Sequence, residues 1–338
     1  MPIRSELKMV VEGQESLSLE QATALMRQIL AGKASEVELA ALLGAMAARG
    51  ETAEEIAGFA LAMREAATTL SLSEAERDSL VDTCGTGGDG SGTFNISTAA
   101  ALVAAAAGVK VAKHGNRAVT SQCGSADVLE ALGIPVTLTP EAAVEALRAH
   151  GFCFLLAPAH HPGMRAFLPV RRALGVRTIF NVLGPLLNPA GARRQVMGVY
   201  AARLTHPVAA AMAHLGVRSA SVVHGHGGMD ELALSGPSEL VSVHEAAAGP
   251  VKLSISPEDV GLTRAPVSTL AGGSAEQNAA ILRSIFAGES GPRRDIVLLN
   301  AASVLLVAER APDLTAAVAL AAETIDSGEV VRLLERLR

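Results

Sequence analysis

The chain has 338 residues, 49% of them hydrophobic and 18% charged, with a formal net charge of −6. That length allows two domains with a large core, the composition excludes a disordered chain, and the acidic balance argues against a general nucleic-acid binder. No signal-peptide pattern opens the sequence, and the longest apolar run, Ala99 to Val109, is too short to cross a bilayer. Cys84, Cys123 and Cys153 are too scattered for a disulfide framework or a zinc knuckle. Buried free thiols in a cytoplasmic protein are expected.

Residues 1–70 predict three short helices, each opened by a capping box. Ser18 with Gln21 precedes Ala22, Leu25, Met26, Ile29 and Leu30; Ser35 with Glu38 precedes Leu39, Leu42, Leu43 and Met46. Thr52 with Glu55 then precedes Ile56, Phe59, Ala60 and Met63. These apolar faces exceed what three helices can hide among themselves, so packing on a second subunit is expected.

From Leu80 the period changes. Short apolar runs at 80–81, 109–112, 135–138, 152–157, 195–200 and 219–224 predict strands, alternating with helices at 97–107, 125–132, 140–150 and 207–215. Between them, His160 to Pro189 carries four prolines and Arg165, Arg171, Arg172 and Arg177, and predicts two short helices lying between domains. Final helices are expected to start near Ser274, Arg293, Leu314 and Val330. The fold class is therefore α/β: a small N-terminal helical domain over 1–70, joined in space by 160–189, and a large domain over 71–338 with a mostly parallel central sheet flanked by helices.

The stretch Asp82 to Thr98 organises the rest. It places five glycines within positions 85–92, between a strand end and an alanine-rich helix whose N-cap falls at Asn95, Ser97 or Thr98. Such a loop lets a ligand sit against backbone amides, and the helix dipole adds to the attraction for an anion. It has no P-loop lysine pattern and only a weak dinucleotide fingerprint. Phosphate binding is the reading it supports. A second strand exit, Lys113 to Ser121 followed by Cys123-Gly124-Ser125, supplies two cations, an amide and two hydroxyls for a shared pocket. A third, His224 to Glu231, ends in the adjacent carboxylates Asp230 and Glu231, which suit Mg²⁺ with phosphate oxygens and water. His224 and His226 lack a third ligand in sequence reach and read as loop residues.

These motifs, with Gly124-Ser125-Ala126-Asp127 and Asn181 to Pro189, together resemble the anthranilate phosphoribosyltransferases of tryptophan biosynthesis over nearly the whole chain. The resemblance implies a dimerising helical domain and an α/β domain that binds 5-phosphoribosyl 1-diphosphate (PRPP) with Mg²⁺. Around PRPP it implies Gly85, Gly88, Asp89, Thr93, Asn95, Ile96, Ser97 and Thr98. Lys113, His114, Gly115, Asn116, Arg117, Ala118, Val119, Thr120, Ser121 and Ser125 belong to the same implied site. Ser97, Asp230 and Glu231 match the magnesium ligands, and Gly85, Asn116 and Arg171 the anthranilate contacts. Cys123 stands where the family often has serine, Met229 where leucine is usual, and an extra residue in His226-Gly227-Gly228 bears on how Asp230 and Glu231 divide their work.

The implied reaction is attack of the anthranilate nitrogen on the anomeric carbon with loss of diphosphate, with His114 as a candidate proton relay. Two other readings belong to the same fold. A pyrimidine nucleoside phosphorylase would not need the acidic pair, and a non-enzymatic nucleic-acid-binding relative would be basic and lack the glycine loop.

Overall fold

Three capping boxes set the helical domain. Ser18, Ser35 and Thr52 each accept the N3 amide while the N3 side chain returns to the cap amide, opening α2 (Leu19–Leu30), α3 (Glu36–Arg49) and α4 (Ala53–Glu65). A short α1 (Arg4–Val11), which the sequence reading passed over, precedes them. The computed structural model describes residues 3–118, 122–245, 247 and 249–338.

After α5 (Glu74–Ser79) the chain alternates: β1 (Leu80–Gly85), α6 (Ile96–Ala106), β2 (Lys110–Gly115), α7 (Ser125–Leu132), α8 (Pro140–His150) and β3 (Phe152–Leu156). The proline-rich stretch folds into α9 (Ala157–His160), α10 (Leu168–Leu174), α11 (Phe180–Leu183) and intervening 3₁₀ turns, more pieces than the two helices expected, because its prolines cut each run short. Then follow β4 (Arg194–Gly198), α12 (Thr205–His214), β5 (Ser219–His224), β6 (Ser238–His244) and β7 (Val251–Ile255). Four helices close the chain: α13 (Ala275–Phe286), α14 (Pro292–Val307), α15 (Leu314–Asp326) and α16 (Glu329–Leu337).

Among the described residues, seven strands lie in the order β3-β2-β1-β4-β5-β6-β7, with the first five parallel and β6 and β7 antiparallel at one edge. Two expectations are corrected. Residues 135–138 form no strand; Val136 is buried in a connection between α7 and α8 and finds no backbone ladder. The edge strands β6 and β7 were missed. β7 (Val-Lys-Leu-Ser-Ile) does alternate apolar and polar residues, a strand signal that the sequence reading passed over, although four of its five positions are exposed at the sheet edge.

One face of the sheet is covered by α6 and α14, backed by α15 and α16. The other carries α12, and on it the helical domain: Leu25, Met26, Phe59 and Met63 share one apolar cluster with Val208, Met212, Val222 and Val241. Much of the apolar surface assigned above to a second subunit is thus covered by the same chain. Val37 remains 79% exposed.

Strand order reverses between β1 and β4, because β1 leads outward to β2 and β3 while β4 leads the other way to β5. At such a reversal the loops diverge and leave a crevice at the carboxyl ends of the strands. Gly85 and Gly198 face each other across it.

Within the helical domain, Glu55 is fully buried; its carboxylate accepts the Leu17 and Thr52 amides and is forked by Arg49 at 2.6 Å. Arg49→Met leaves that buried charge without its cation. We expect a loss of about 3 kcal/mol in urea unfolding, and an unchanged midpoint would show that the two amides suffice.

Candidate functional site

The crevice is built around one short segment. Met229 to Glu231, after β5, crosses the ends of β1 and β4, and three glycines make room for it. A Cβ on Gly198 would lie 1.5 Å from the Asp230 carbonyl oxygen, one on Gly85 2.2 Å from Asp230 Oδ2, and one on Gly225 2.2 Å from the Glu231 carbonyl oxygen. Both carboxylates then hold backbone. Gly87 N–H donates to Asp230 Oδ2 at 2.7 Å, and Ser97 N–H, in the first turn of α6, donates to Glu231 Oε1 at 3.1 Å. Asp89 accepts the Asp230 amide at 3.3 Å and the Ser91 amide at 3.1 Å, which fastens the glycine loop to the acidic segment. Burial, reinforced by neighbouring carboxylates, pushes the pKa values of Asp230 and Glu231 up.

Alternation along β2 sends consecutive side chains to opposite faces. Lys113 is buried on the α6 side, where its Nζ donates to the Thr83 carbonyl at 2.5 Å and to Ser97 Oγ at 3.3 Å. His114 turns to the other side. Burial holds it neutral, with its pKa pushed down to about 3, and its ring stands edge-on to His161 at 5.2 Å. The Nε2 atoms of both histidines are buried without a hydrogen-bond partner among the described residues.

On the His114 side lies a cavity of about 320 Å³, walled by Gly85 and Thr86 from β1 and its exit, Asn116 from the β2 exit, and Met164, Arg171, Phe180 and Asn181 from the proline-rich stretch. Arg171 is half-buried, lies 5.6 Å over the Phe180 ring and has no carboxylate partner among the described residues, so its guanidinium is open to an anion. A second cavity, about 360 Å³, sits at the amino ends of the central strands, opposite the crevice, beside Arg64, Arg77 and Arg193. Arg193 there is already paired with Glu74 and Asp78, and among the described residues no nucleophile or metal-ligand set lines this cavity. The chemistry belongs to the crevice.

Two family models match the chain: the helical bundle domain of a glycosyl transferase family over residues 4–67, and its a/b domain over 77–331. The anthranilate phosphoribosyltransferase of Symbiobacterium thermophilum is 51% identical over 99% of this chain and 97% of its own length. The Thermus thermophilus enzyme of that name superposes with a TM-score of 0.90 at 48% identity, covering 98% of this chain and 97% of the other. The chain belongs to the anthranilate phosphoribosyltransferase family. A further member, the Saccharomyces cerevisiae enzyme solved in complex with PRPP and Mg, has a TM-score of 0.86 at 29% identity, covering 99% and 97% of the two chains.

Against that family's implied site, the structure brings Gly85, Gly88, Asp89, Ser97, Lys113, Asp230 and Glu231 together around the glycine loop, and Gly85, Asn116 and Arg171 around the cavity. Asn95 is the N-cap of α6, but its side chain is committed elsewhere, donating to the Cys123 carbonyl and accepting from Asn278. Ile96 N–H donates to the Phe94 carbonyl, Ser97 N–H to Glu231 and Ala99 N–H to the Asn95 carbonyl, so of the first-turn amides of α6 that of Thr98 is left for a ligand. Ile96 is buried in that first turn, and Thr98 is buried with its Oγ1 unpartnered among the described residues. Thr93 sits 3.4 Å from Ser91 through their hydroxyls. Gly115 and Ser125 pack together, where a Cβ on the glycine would meet Ser125 Cβ at 3.4 Å. The Arg117 guanidinium does not reach the crevice; it pairs with Glu130 at 2.5 Å and Asp127 at 3.3 Å, and the Ala118 amide donates to Asp127. Val119, Thr120 and Ser121 lie outside the described residues. Sequence reasoning missed His161, Met164 and Phe180, which no motif marked; the basic proline-rich stretch was the only signal.

A divalent cation fits this donor set. Two partly buried carboxylates of raised pKa stand beside a serine hydroxyl, an accumulation of negative charge that a cation relieves. Among the described residues no three His, Cys, Asp or Glu side chains form a closed metal cluster. That suits Mg²⁺, which takes one or two carboxylates and completes its shell with water and substrate phosphate.

Gly198→Ala places its Cβ against backbone, Gly85→Ala against a side chain that can rotate. Gly198→Ala is expected to cost about 3 kcal/mol or more and Gly85→Ala clearly less, measured by thermal unfolding; equal losses would refute the crossing geometry. His114 and His161, with pKa values depressed to about 3 and about 4, bind protons more readily unfolded than folded. Their stabilising contribution is therefore complete above about pH 6.5 and is lost as pH falls toward 3. The stability slope over that range is expected to flatten by about one proton in His114→Gln.

Proposed function

We infer that the chain transfers the 5-phosphoribosyl group of PRPP to the amino nitrogen of anthranilate, releasing diphosphate and N-(5-phosphoribosyl)anthranilate. The observation that carries this is the pairing of an anion-binding glycine loop beside an acidic pair with an apolar cavity into which the half-buried Arg171, without a carboxylate partner among the described residues, projects its charge. The yeast relative is described with PRPP and Mg, and also with 4-fluoroanthranilate, which is the ligand pair these two halves would take.

In this reading Arg171 forks the anthranilate carboxylate and Phe180 supports its ring, while Asn116 and the bare Gly85 fix its depth. The arylamine is uncharged at neutral pH, so its lone pair needs no base to free it. Holding nitrogen and anomeric carbon in line is the larger task. Lys113, the Ser97 hydroxyl and the loop and α6 amides face the side on which diphosphate leaves, where charge develops. Mg²⁺, held by Asp230, Glu231 and Ser97, would neutralise that leaving group. Once the nitrogen carries the glycosidic bond it becomes strongly acidic, so the neutral His114, with Nε2 unpartnered at the cavity, suffices as acceptor despite its low pKa. Residues 1–70 serve in this reading as the dimerising unit of a homodimer working in the cytoplasm.

The test follows anthranilate fluorescence, with little interference from a chain that has no tryptophan and one tyrosine. Consumption should require both PRPP and Mg²⁺ and should be lost in Asp230→Asn/Glu231→Gln. Arg171→Ala is expected to raise the KM for anthranilate about ten- to a hundred-fold, the worth of a charge-assisted hydrogen bond pair, with a smaller change in the KM for PRPP. Absence of any consumption by folded wild type would sink the substrate assignment.

A further inference from the structure

Arg177 lies in the link between α10, which carries Arg171, and α11, which carries Phe180 and Asn181. Its guanidinium leaves that link and reaches the glycine loop, where Nη2 donates to the Gly88 carbonyl. The same guanidinium stacks over the ring of Tyr200 at 4.3 Å, within the range of a cation–π contact. It has no carboxylate partner among the described residues, so nothing competes for it. Tyr200, just beyond β4, is tied to the loop by its backbone as well: its N–H donates to Thr86 Oγ1 at 3.1 Å, while Thr86 N–H donates to the Gly198 carbonyl at 2.9 Å. Gly88 has φ +72, a conformation that favours glycine, and a Cβ there would stand in ordinary contact with Arg177 Nε at 3.9 Å. Because a trans peptide is planar, fixing the Gly88 carbonyl toward Arg177 fixes the Asp89 N–H the opposite way, away from the link.

We propose that Arg177, seated on Tyr200, is a positioning residue that couples the two substrate sites: it orients the diphosphate-binding loop at Gly88 and transmits the loop's position to the segment that holds anthranilate. The inference rests on the phosphoribosyl-transfer reading. Its consequence is thermodynamic: anthranilate and the magnesium diphosphate moiety each bind more tightly when the other is present, by the same factor.

The dead-end ligand is inorganic diphosphate with Mg²⁺, so that no reaction intervenes. The dissociation constant of anthranilate is measured by calorimetry with and without it, on wild type, Arg177→Met, Tyr200→Phe and Tyr200→Leu. Wild type should show tightening of about five-fold or more. Tyr200→Phe keeps the ring and should keep the coupling, whereas Arg177→Met and Tyr200→Leu should bring the factor to about one while thermal midpoints stay near that of wild type. The single tyrosine gives a second readout. Its emission should change when Mg²⁺-PRPP alone binds wild type and should stay flat in Arg177→Met although that variant still binds PRPP. Coupling retained in Arg177→Met, or no mutual effect in a wild type that binds both ligands, overturns the inference. A wild type that binds neither ligand overturns the functional reading and this inference with it.

Discussion

The arrangement depends on two carboxylates being forced against backbone. Asp230 and Glu231 cross the point where the sheet reverses its strand order, and they reach it only because Gly85, Gly198 and Gly225 present no side chains. Once there, Asp230 caps the amide of Gly87 and Glu231 that of Ser97. The glycine loop, whose glycines have no side chains to pack, takes its shape from these contacts and from the bonds that Asp89 and Thr86 make. The same contacts leave more negative charge in the crevice than its burial tolerates, and a divalent cation would relieve it. Structure of the loop and appetite for metal have one cause.

From this hinge of charge the two halves of the site separate cleanly. Lys113 and His114 are adjacent in sequence, yet pleating sends one toward Ser97 and the acidic segment and the other to the wall of the apolar cavity. The lysine stays close to Ser97 and a carbonyl, and the histidine stays neutral because burial costs the imidazolium its hydration. A cationic face and an uncharged face thus meet at one strand, as a reaction between an anionic leaving group and a neutral amine requires.

The helical domain contributes through the sheet's far face. Its α2 and α4 share a core with α12, and the stretch 157–187 forms both part of that core and the wall of the cavity. A displacement of the helical domain relative to the sheet would therefore change the cavity directly.

The sequence by itself determined the elements whose signals are local. Capping boxes at Ser18, Ser35 and Thr52, the alternation of apolar runs, and the glycine-rich strand exits all carry their own stereochemistry, and α7, α8 and β5 fall where the periodicity put them. The loops of the site were legible for the same reason, since glycines, hydroxyls and paired acids at strand ends have few other uses. What only the tertiary structure decided was which of these groups meet. Residues 135–138 look like a strand but find no neighbour to pair with, whereas β7, a short alternating run, becomes a strand because β6 offers it an edge. Arg117 is drawn away by Glu130 and Asp127 from the following helix, while Arg171 and Arg177, alike in a basic stretch, part company at Phe180 and Tyr200. Such pairs leave no periodic trace, because they are set by how loops and neighbouring helices fold back on one another and not by a repeat along one element.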